Sequence, residues 1–345
     1  MSATVRVLIA DDSPTVRQVL ALLLAGEVRI ELVGQARDGA EAVALATQLR
    51  PDVMTMDIEM PVLDGLGAIE QIMERCPTRI LVVCAAAQER LLDLSFRAIA
   101  AGALELLAKP AVADGDSDEQ QGERLRKFGE AVRRAILLMA EVPVVRRPRP
   151  AGRSSEPTAR TQRVDAIGIA ASTGGPPALA LLLGALPASL PVPILIAQHI
   201  APGFSEGLMR WLARSCALPV RAARDGAACE PGTIYLPPEG CDLLVDRARG
   251  LRTPLASGPH RPSANLLFSS LATAYGARAA GFILTGMGDD GTEGLLALRR
   301  AGGPTFAQEE PSCAVFGMPR AAQDAGAVNE LVSLERMSRL IVELS

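Results

Sequence analysis

The chain has 345 residues, of which 49% are hydrophobic, 21% charged and only 3% aromatic, with a formal net charge of −4. That length holds two ordinary domains with aliphatic cores, and the acidic balance excludes nucleic acid as the main partner. The opening MSATVRVLIADDS lacks the form of a secretory signal, and the most apolar region, 176–197, is broken by Pro187, Pro191 and Pro193, so no membrane insertion is expected and a cytoplasmic location is.

Residues 5–139 alternate between β-rich and amphipathic helical runs. Strands are expected at 5–10, 30–36, 53–57, 80–84 and 104–108, with helices such as 15–25 and 40–49 between them. This alternation predicts a parallel, doubly wound sheet with its chemistry at the carboxyl ends of the strands. Polar residues stand at those ends: Asp11 and Asp12 close the first strand, Asp57 closes the third, and Lys109 follows the fifth. Three carboxylates at one sheet edge repel one another unless a cation sits among them, which suits an oxygen-seeking Mg²⁺. Lys109 adds a mobile positive charge.

VLIADDSPTVR, VMTMDIEMPVLDGL and LLAKP together resemble two-component receiver domains. The resemblance implies a flavodoxin-like fold, Asp57 as the phosphorylated residue, Asp11, Asp12 and Asp57 as the Mg²⁺ pocket, Lys109 as the phosphoryl-contacting lysine, and a chemotaxis-type sensor histidine kinase as phosphodonor. Two positions depart from the receiver pattern. Cys84, Ala85, Ala86 and Ala87 stand where a Ser or Thr usually follows the fourth strand, and Leu106 replaces the usual aromatic switch residue. Altered coupling between phosphorylation and output is therefore expected.

Residues 111–121 are acidic and small, and 122–139 read as a last helix. PVVRRPRPAGRSSEPTARTQR, residues 143–163, then mixes Pro, Arg and Ser almost without large apolar side chains, the composition of an extended linker. The expected organisation is a first domain over 1–122, a closing helix and flexible linker over 123–163, and a second domain over 164–345.

Alternation resumes after Arg163, with strands expected at 164–169, 194–198, 233–236, 282–285 and 305–308 and helices at 204–213, 264–274 and 292–300. The stretch VDAIGIAASTGGPP places Ser172 on a strand-to-helix turn, where following glycines let the chain bend and a new helix directs its unpaired N–H groups at the hydroxyl. A nucleophile, a phosphate site and a plain small-residue turn all fit that stretch. GMGDDG, residues 286–291, matches G-x-G-x-x-G, yet Asp289 and Asp290 stand where a pyrophosphate would approach, which speaks against a dinucleotide.

The six cysteines form no C-x-x-C pair and read as reduced, small apolar residues. Only His199 and His260 occur, so a His-rich zinc site is not expected, and a histidine base must be one of these two. His199 is favoured because, like Ser172, it stands at a strand end. With a carboxylate from the 285–291 loop, Ser172 and His199 make a set suited to acyl transfer: the histidine takes the serine proton and the acid fixes the imidazole. Its chain order and Ala170 in place of the first Gly of G-x-S-x-G exclude the α/β-hydrolase pattern.

AIGIAASTGGPPAL, ILIAQHIAPGF, RPSANLLF, ILTGMGDDG and AQEEPSCAVFGMPRAA resemble, in order and spacing, the catalytic domain of the chemotaxis receptor methylesterases, CheB. The resemblance implies a Rossmann-like α/β domain, Ser172 as nucleophile, His199 as base, Asp290 as the third member, and Thr173 and Met287 as active-site neighbours. It also implies hydrolysis of glutamate methyl esters on the cytoplasmic helices of chemoreceptors with release of methanol, deamidation of receptor glutamines in some relatives, no cofactor for the ester reaction, and a receiver that inhibits until Asp57 is phosphorylated. Ala170, Cys241 and Asn265 depart from the family pattern without touching the three catalytic positions. The rival expectation is a receiver-controlled docking module whose second domain is catalytically idle.

Overall fold

The computed structural model describes residues 4–85, 89–110, 117–141 and 163–345. The chain divides into two compact units, one within 1–146 and the other within 147–345.

The first unit runs β1 (Val5–Ala10), α1 (Pro14–Ala25), β2 (Ile30–Ala36), α2 (Gly39–Leu49), β3 (Val53–Met56), α3 (Gly65–Arg75), β4 (Arg79–Cys84), α4 (Glu89–Ala101), β5 (Glu105–Ala108) and α5 (Asp118–Ala140). Its five strands lie in the order β2-β1-β3-β4-β5, every pair parallel. The central strand β3 is buried throughout and its neighbours β1 and β4 are buried over their last four and five residues, as a sheet covered by helices on both faces requires. Side-chain caps start the helices: Ser13 before Pro14, Asp38, Asp64, and Ser117 in a capping box with Gln120. Strand order reverses at β1 and β3, so their carboxyl ends, bearing Asp11 and Asp57, flank a crevice.

The last helix begins four residues before the expected 122. Asp118 and Glu119, which read as acidic connector, form its first turn, where negative charge complements the helix dipole. Phe128, Val132, Ile136 and Met139 then give it a buried stripe. Residues 143–162 of the Pro/Arg linker expected over 143–163, and Ala86 and Ala87, lie outside the described residues.

The second unit runs β6 (Ala166–Ala171), α6 (Gly175–Gly184), β7 (Ile194–Gln198), α7 (Ser205–Ser215), β8 (Val220–Ala222), β9 (Ile234–Leu236), β10 (Leu244–Val245), β11 (Leu251–Arg252), α8 (Ala264–Tyr275), β12 (Ala279–Ile283), α9 (Thr292–Arg300), β13 (Thr305–Gln308), α10 (Met318–Asp324), β14 (Glu330–Val332) and α11 (Leu334–Leu344). Seven strands form a parallel sheet in the order β14-β13-β12-β6-β7-β9-β8. A separate antiparallel pair, β10-β11, stands beside it. The sheet has two strands more than the sequence pattern indicates. β8 and β14 are three-residue edge strands, too short to show a period.

Both sheets are thus doubly wound α/β layers. Among the described residues, no helix is long and apolar enough to cross a membrane.

Candidate functional site

β6 sits mid-sheet between β12 and β7, and the order of connection reverses there. Parallel pairing brings three carboxyl ends together. Ser172 N donates to Thr285 O at 3.0 Å, and His199 N donates to Ala171 O at 2.9 Å. The serine turn, the histidine and the 285–291 loop are therefore held side by side by main-chain hydrogen bonds.

The turn after Ser172 depends on close backbone approach. Gly174 has φ of 74°, and a Cβ there would lie 2.4 Å from Ala314 Cβ. Gly286 is confined from the other side, since a Cβ there would come 2.7 Å from Ser172 Cβ and 2.4 Å from Met318 Sδ. Glycine at 286 lets the acidic loop pass against the serine.

Asp290 is 2% exposed and its Oδ2 lies 2.7 Å from His199 Nε2. The same carboxylate accepts from Ala264 N at 2.7 Å, Asn265 N at 3.0 Å and Ser263 Oγ at 3.3 Å, all at the start of α8. Burial pushes this carboxyl up, but the bonds from His199 and the two amides outweigh it and hold the group below its ordinary value. An ionised carboxylate only accepts, so Nε2 carries the proton and Nδ1 keeps the lone pair. His199 has 15% of its side chain exposed, and its Nδ1 stands outside the bond to Asp290.

Among the described residues, His199 and Asp290 are hydrogen-bonded to each other, whereas Ser172 Oγ and the imidazole are not. Such a bond often tightens only around bound substrate. Asp289, the neighbouring acid, is exposed. Thr173 is buried and its carbonyl accepts from Thr285 Oγ1 at 3.0 Å, while Met287 stands half-buried on the facing loop. His260 stacks on His199, ring centroids 5.2 Å apart and planes 15° from parallel.

Two residues in this region carry more than their types suggested. The Gln198 amide donates to Ser172 O at 2.9 Å and His199 O at 2.8 Å, tying the main chain of the two residues together. Its place directly before His199 in the quoted motif was the available signal. Asn265 Oδ1 accepts from Gly291 N at 3.0 Å and Gly294 N at 2.9 Å, so this departure from the family pattern ties the start of α9 to α8.

A second polar cluster lies in the first unit. Lys109 Nζ is 2.5 Å from Asp57 Oδ2 and 2.7 Å from Asp11 Oδ2, and one oxygen of each of Asp11, Asp12 and Asp57 falls within 4.8 Å of the others. Ile58 N donates to Asp57 Oδ1 at 2.7 Å. Burial raises the Asp57 carboxyl and neighbouring Asp11 raises it further, more than Lys109 lowers it. An all-oxygen donor set with one lysine against three carboxylates leaves room for a dication, and fits Mg²⁺.

Because the folded Asp57 binds its proton more readily than an unfolded one, its ionised form opposes folding. The stability it contributes is full below the ordinary carboxylate range and lost as pH rises through the folded value. Asp57→Asn is therefore expected to raise the melting temperature at neutral pH, with the gain shrinking when Mg²⁺ is added. Differential scanning calorimetry with and without Mg²⁺ checks this, and a lower melting temperature for the variant contradicts it.

Cys84, buried at the end of β4, lies with Sγ 3.1 Å from Ser95 Oγ. A hydroxyl absent from the local sequence thus reaches this position from α4. Burial raises the thiol, and Asp57 also acts to raise it. Leu106 is buried on β5.

Comparison with known proteins matches residues 167–341 to the CheB methylesterase family and residues 7–115 to the response regulator receiver domain. A protein-glutamate methylesterase/protein-glutamine glutaminase of Myxococcus xanthus is 53% identical over 340 residues, covering 98% of this chain and 93% of its own length. A protein of the same description from Anaeromyxobacter dehalogenans is 46% identical, covering 95% of this chain and 96% of its own length. Among solved structures, the catalytic domain of Thermotoga maritima CheB methylesterase aligns at 29% identity with a TM-score of 0.50, over 53% of this chain and 99% of that one.

Proposed function

The chain belongs to the CheB methylesterase family, with a receiver domain ahead of the esterase domain, and from that premise we propose a phosphorylation-regulated hydrolase that removes methyl groups from glutamate methyl esters on chemoreceptor helices. It is an enzyme of the protein-glutamate methylesterase class. The observation that carries the reading is the buried Asp290–His199 pair, held by main-chain bonds beside the Ser172 turn.

In this reading Ser172 Oγ attacks the ester carbonyl as its proton passes to His199 Nδ1. Asp290 stabilises the imidazolium that forms. Backbone N–H groups near Thr173 and Met287 face the developing oxyanion, where one donor is typically worth about 10²-fold to 10³-fold in rate. The tetrahedral adduct expels methanol with the proton from His199, and water then hydrolyses the acyl-serine by the same route in reverse roles. A glutamine side chain enters the same sequence with ammonia as leaving group, which accounts for deamidation. No step needs a cofactor.

A chemotaxis-type histidine kinase supplies the phosphoryl group to Asp57. Asp11, Asp12 and Asp57 hold Mg²⁺, which when bound offsets the charge of the transferring phosphoryl, and Lys109 pairs with the product. Residues 1–122 then act as receiver, 123–163 as closing helix and linker, and 164–345 as esterase. A small-molecule phosphodonor is expected to raise methanol release several-fold in the wild type and not in Asp57→Asn. An equal response in both, or none in the wild type, contradicts the regulation.

A further inference from the structure

The chain contains only two histidines, and the fold brings both to one place. His199 stands at the end of β7, His260 on the loop before α8, and Asp290 after β12. One donor atom from each lies within 4.8 Å of the others. The Asp290 carboxylate is fixed by the amides of Ala264 and Asn265, while His260 is half-buried on a loop that opens to solvent.

Two imidazoles and a carboxylate form a donor set for a borderline transition dication. Zn²⁺ and Co²⁺ bind such sets with an open fourth position, whereas Mg²⁺ prefers oxygen alone. Metal–ligand bonds of about 2.1 Å place tetrahedral donors about 3.4 Å apart. His199 Nε2 and Asp290 Oδ2 stand 2.7 Å apart and part to that distance around a metal, while His260, half-buried on its loop, supplies the third donor.

We propose that His199, His260 and Asp290 form a reversible inhibitory site for Zn²⁺ or a similar dication. A metal taking His199 Nε2 beside Asp290 leaves the imidazole's proton on Nδ1, the atom that otherwise receives the serine proton, so the base is withdrawn while the metal is bound. The inhibitory half rests on the hydrolase reading above, but the binding half does not.

Zn²⁺ affinity is measured on the full chain by competition with a chromophoric chelator, in excess Mg²⁺ so that the first-unit carboxylates are occupied. Co²⁺ spectra separate histidine and carboxylate ligation from cysteine, since only thiolates give strong near-ultraviolet charge-transfer bands. The wild type is expected to bind one Zn²⁺ in competition with the chelator and to show no thiolate band. His260→Gln should weaken binding at least about tenfold, His260→Cys should restore much of it, and Asp11→Asn should leave it unchanged. Melting curves of the metal-free variants establish that they are folded.

Equal affinity in wild type and folded His260→Gln, or a thiolate band at the first equivalent, overturns the site. Saturating Zn²⁺ is expected to suppress methanol release, with recovery on chelation. Unaffected release at full occupancy overturns the inhibition. Binding as described by a protein that releases no methanol even when metal-free leaves the site standing and defeats the hydrolase reading instead.

Discussion

Asp290→Asn is expected to lower kcat for ester hydrolysis about 10⁴-fold with little change in KM. The reason lies in the donors converging on this carboxylate. Ala264 N, Asn265 N and Ser263 Oγ all point at it alongside His199 Nε2, and an amide has one oxygen for four donors. Ala264 N shares Oδ2 with His199 Nε2 while Asn265 N and Ser263 Oγ share Oδ1, so the new NH₂ meets a main-chain N–H at either position, and at the Oδ2 position it can only donate to the imidazole. His199 then carries its proton on Nδ1, and no lone pair is left for the serine. Steady-state kinetics on a methylated receptor fragment checks this, and loss confined to KM contradicts it. The depressed carboxyl also has a stability signature: its contribution is present above the ordinary carboxylate range and disappears as pH falls through the folded value. The wild type should therefore lose more stability than the variant in acid.

Ser172→Ala is expected to reduce methanol release about 10⁶-fold, to the level of the uncatalysed reaction assisted by binding alone. Without the hydroxyl no acyl-enzyme forms, and neither Asp290 nor His199 has a proton to manage. The fold should be indifferent. Ser172 is anchored through its main chain, N–H to Thr285 O and carbonyl to Gly175 N and the Gln198 amide, so removing one exposed-side oxygen should change stability by no more than about 0.5 kcal/mol. A variant that loses activity and also melts well below the wild type would assign Ser172 a structural role instead. Residual activity within about tenfold of wild type would remove it as nucleophile.

The alternation of apolar runs made both doubly wound sheets legible, because fully buried parallel strands leave continuous aliphatic segments such as ILIAQ and VMTM. Strand ends then located the polar residues, since parallel sheets collect their chemistry at one edge. Less could be read where an element is short or a contact is long-range. β8, β14 and the β10-β11 pair have two or three residues each, fewer than a periodic pattern needs. The start of α5 was hidden because its acidic first turn resembles a solvated connector until Ser117 is seen to cap it. Asn265 stood out only as a departure from the family pattern, yet its side chain joins the start of α8 to the start of α9, 26 and 29 residues downstream. Likewise the stacking of His260 on His199 and the approach of Ser95 to Cys84 are products of the packed fold, with no local sequence signal.

The central claim is that this chain hydrolyses glutamyl methyl esters through Ser172. It is tested most directly by methanol release from a methylated chemoreceptor cytoplasmic fragment, using the metal-free full chain with Mg²⁺ and a phosphodonor. The account predicts steady, catalytic release that Ser172→Ala abolishes. No release from the wild type, on a fragment that another CheB methylesterase does process, would contradict it and leave the second unit a docking module.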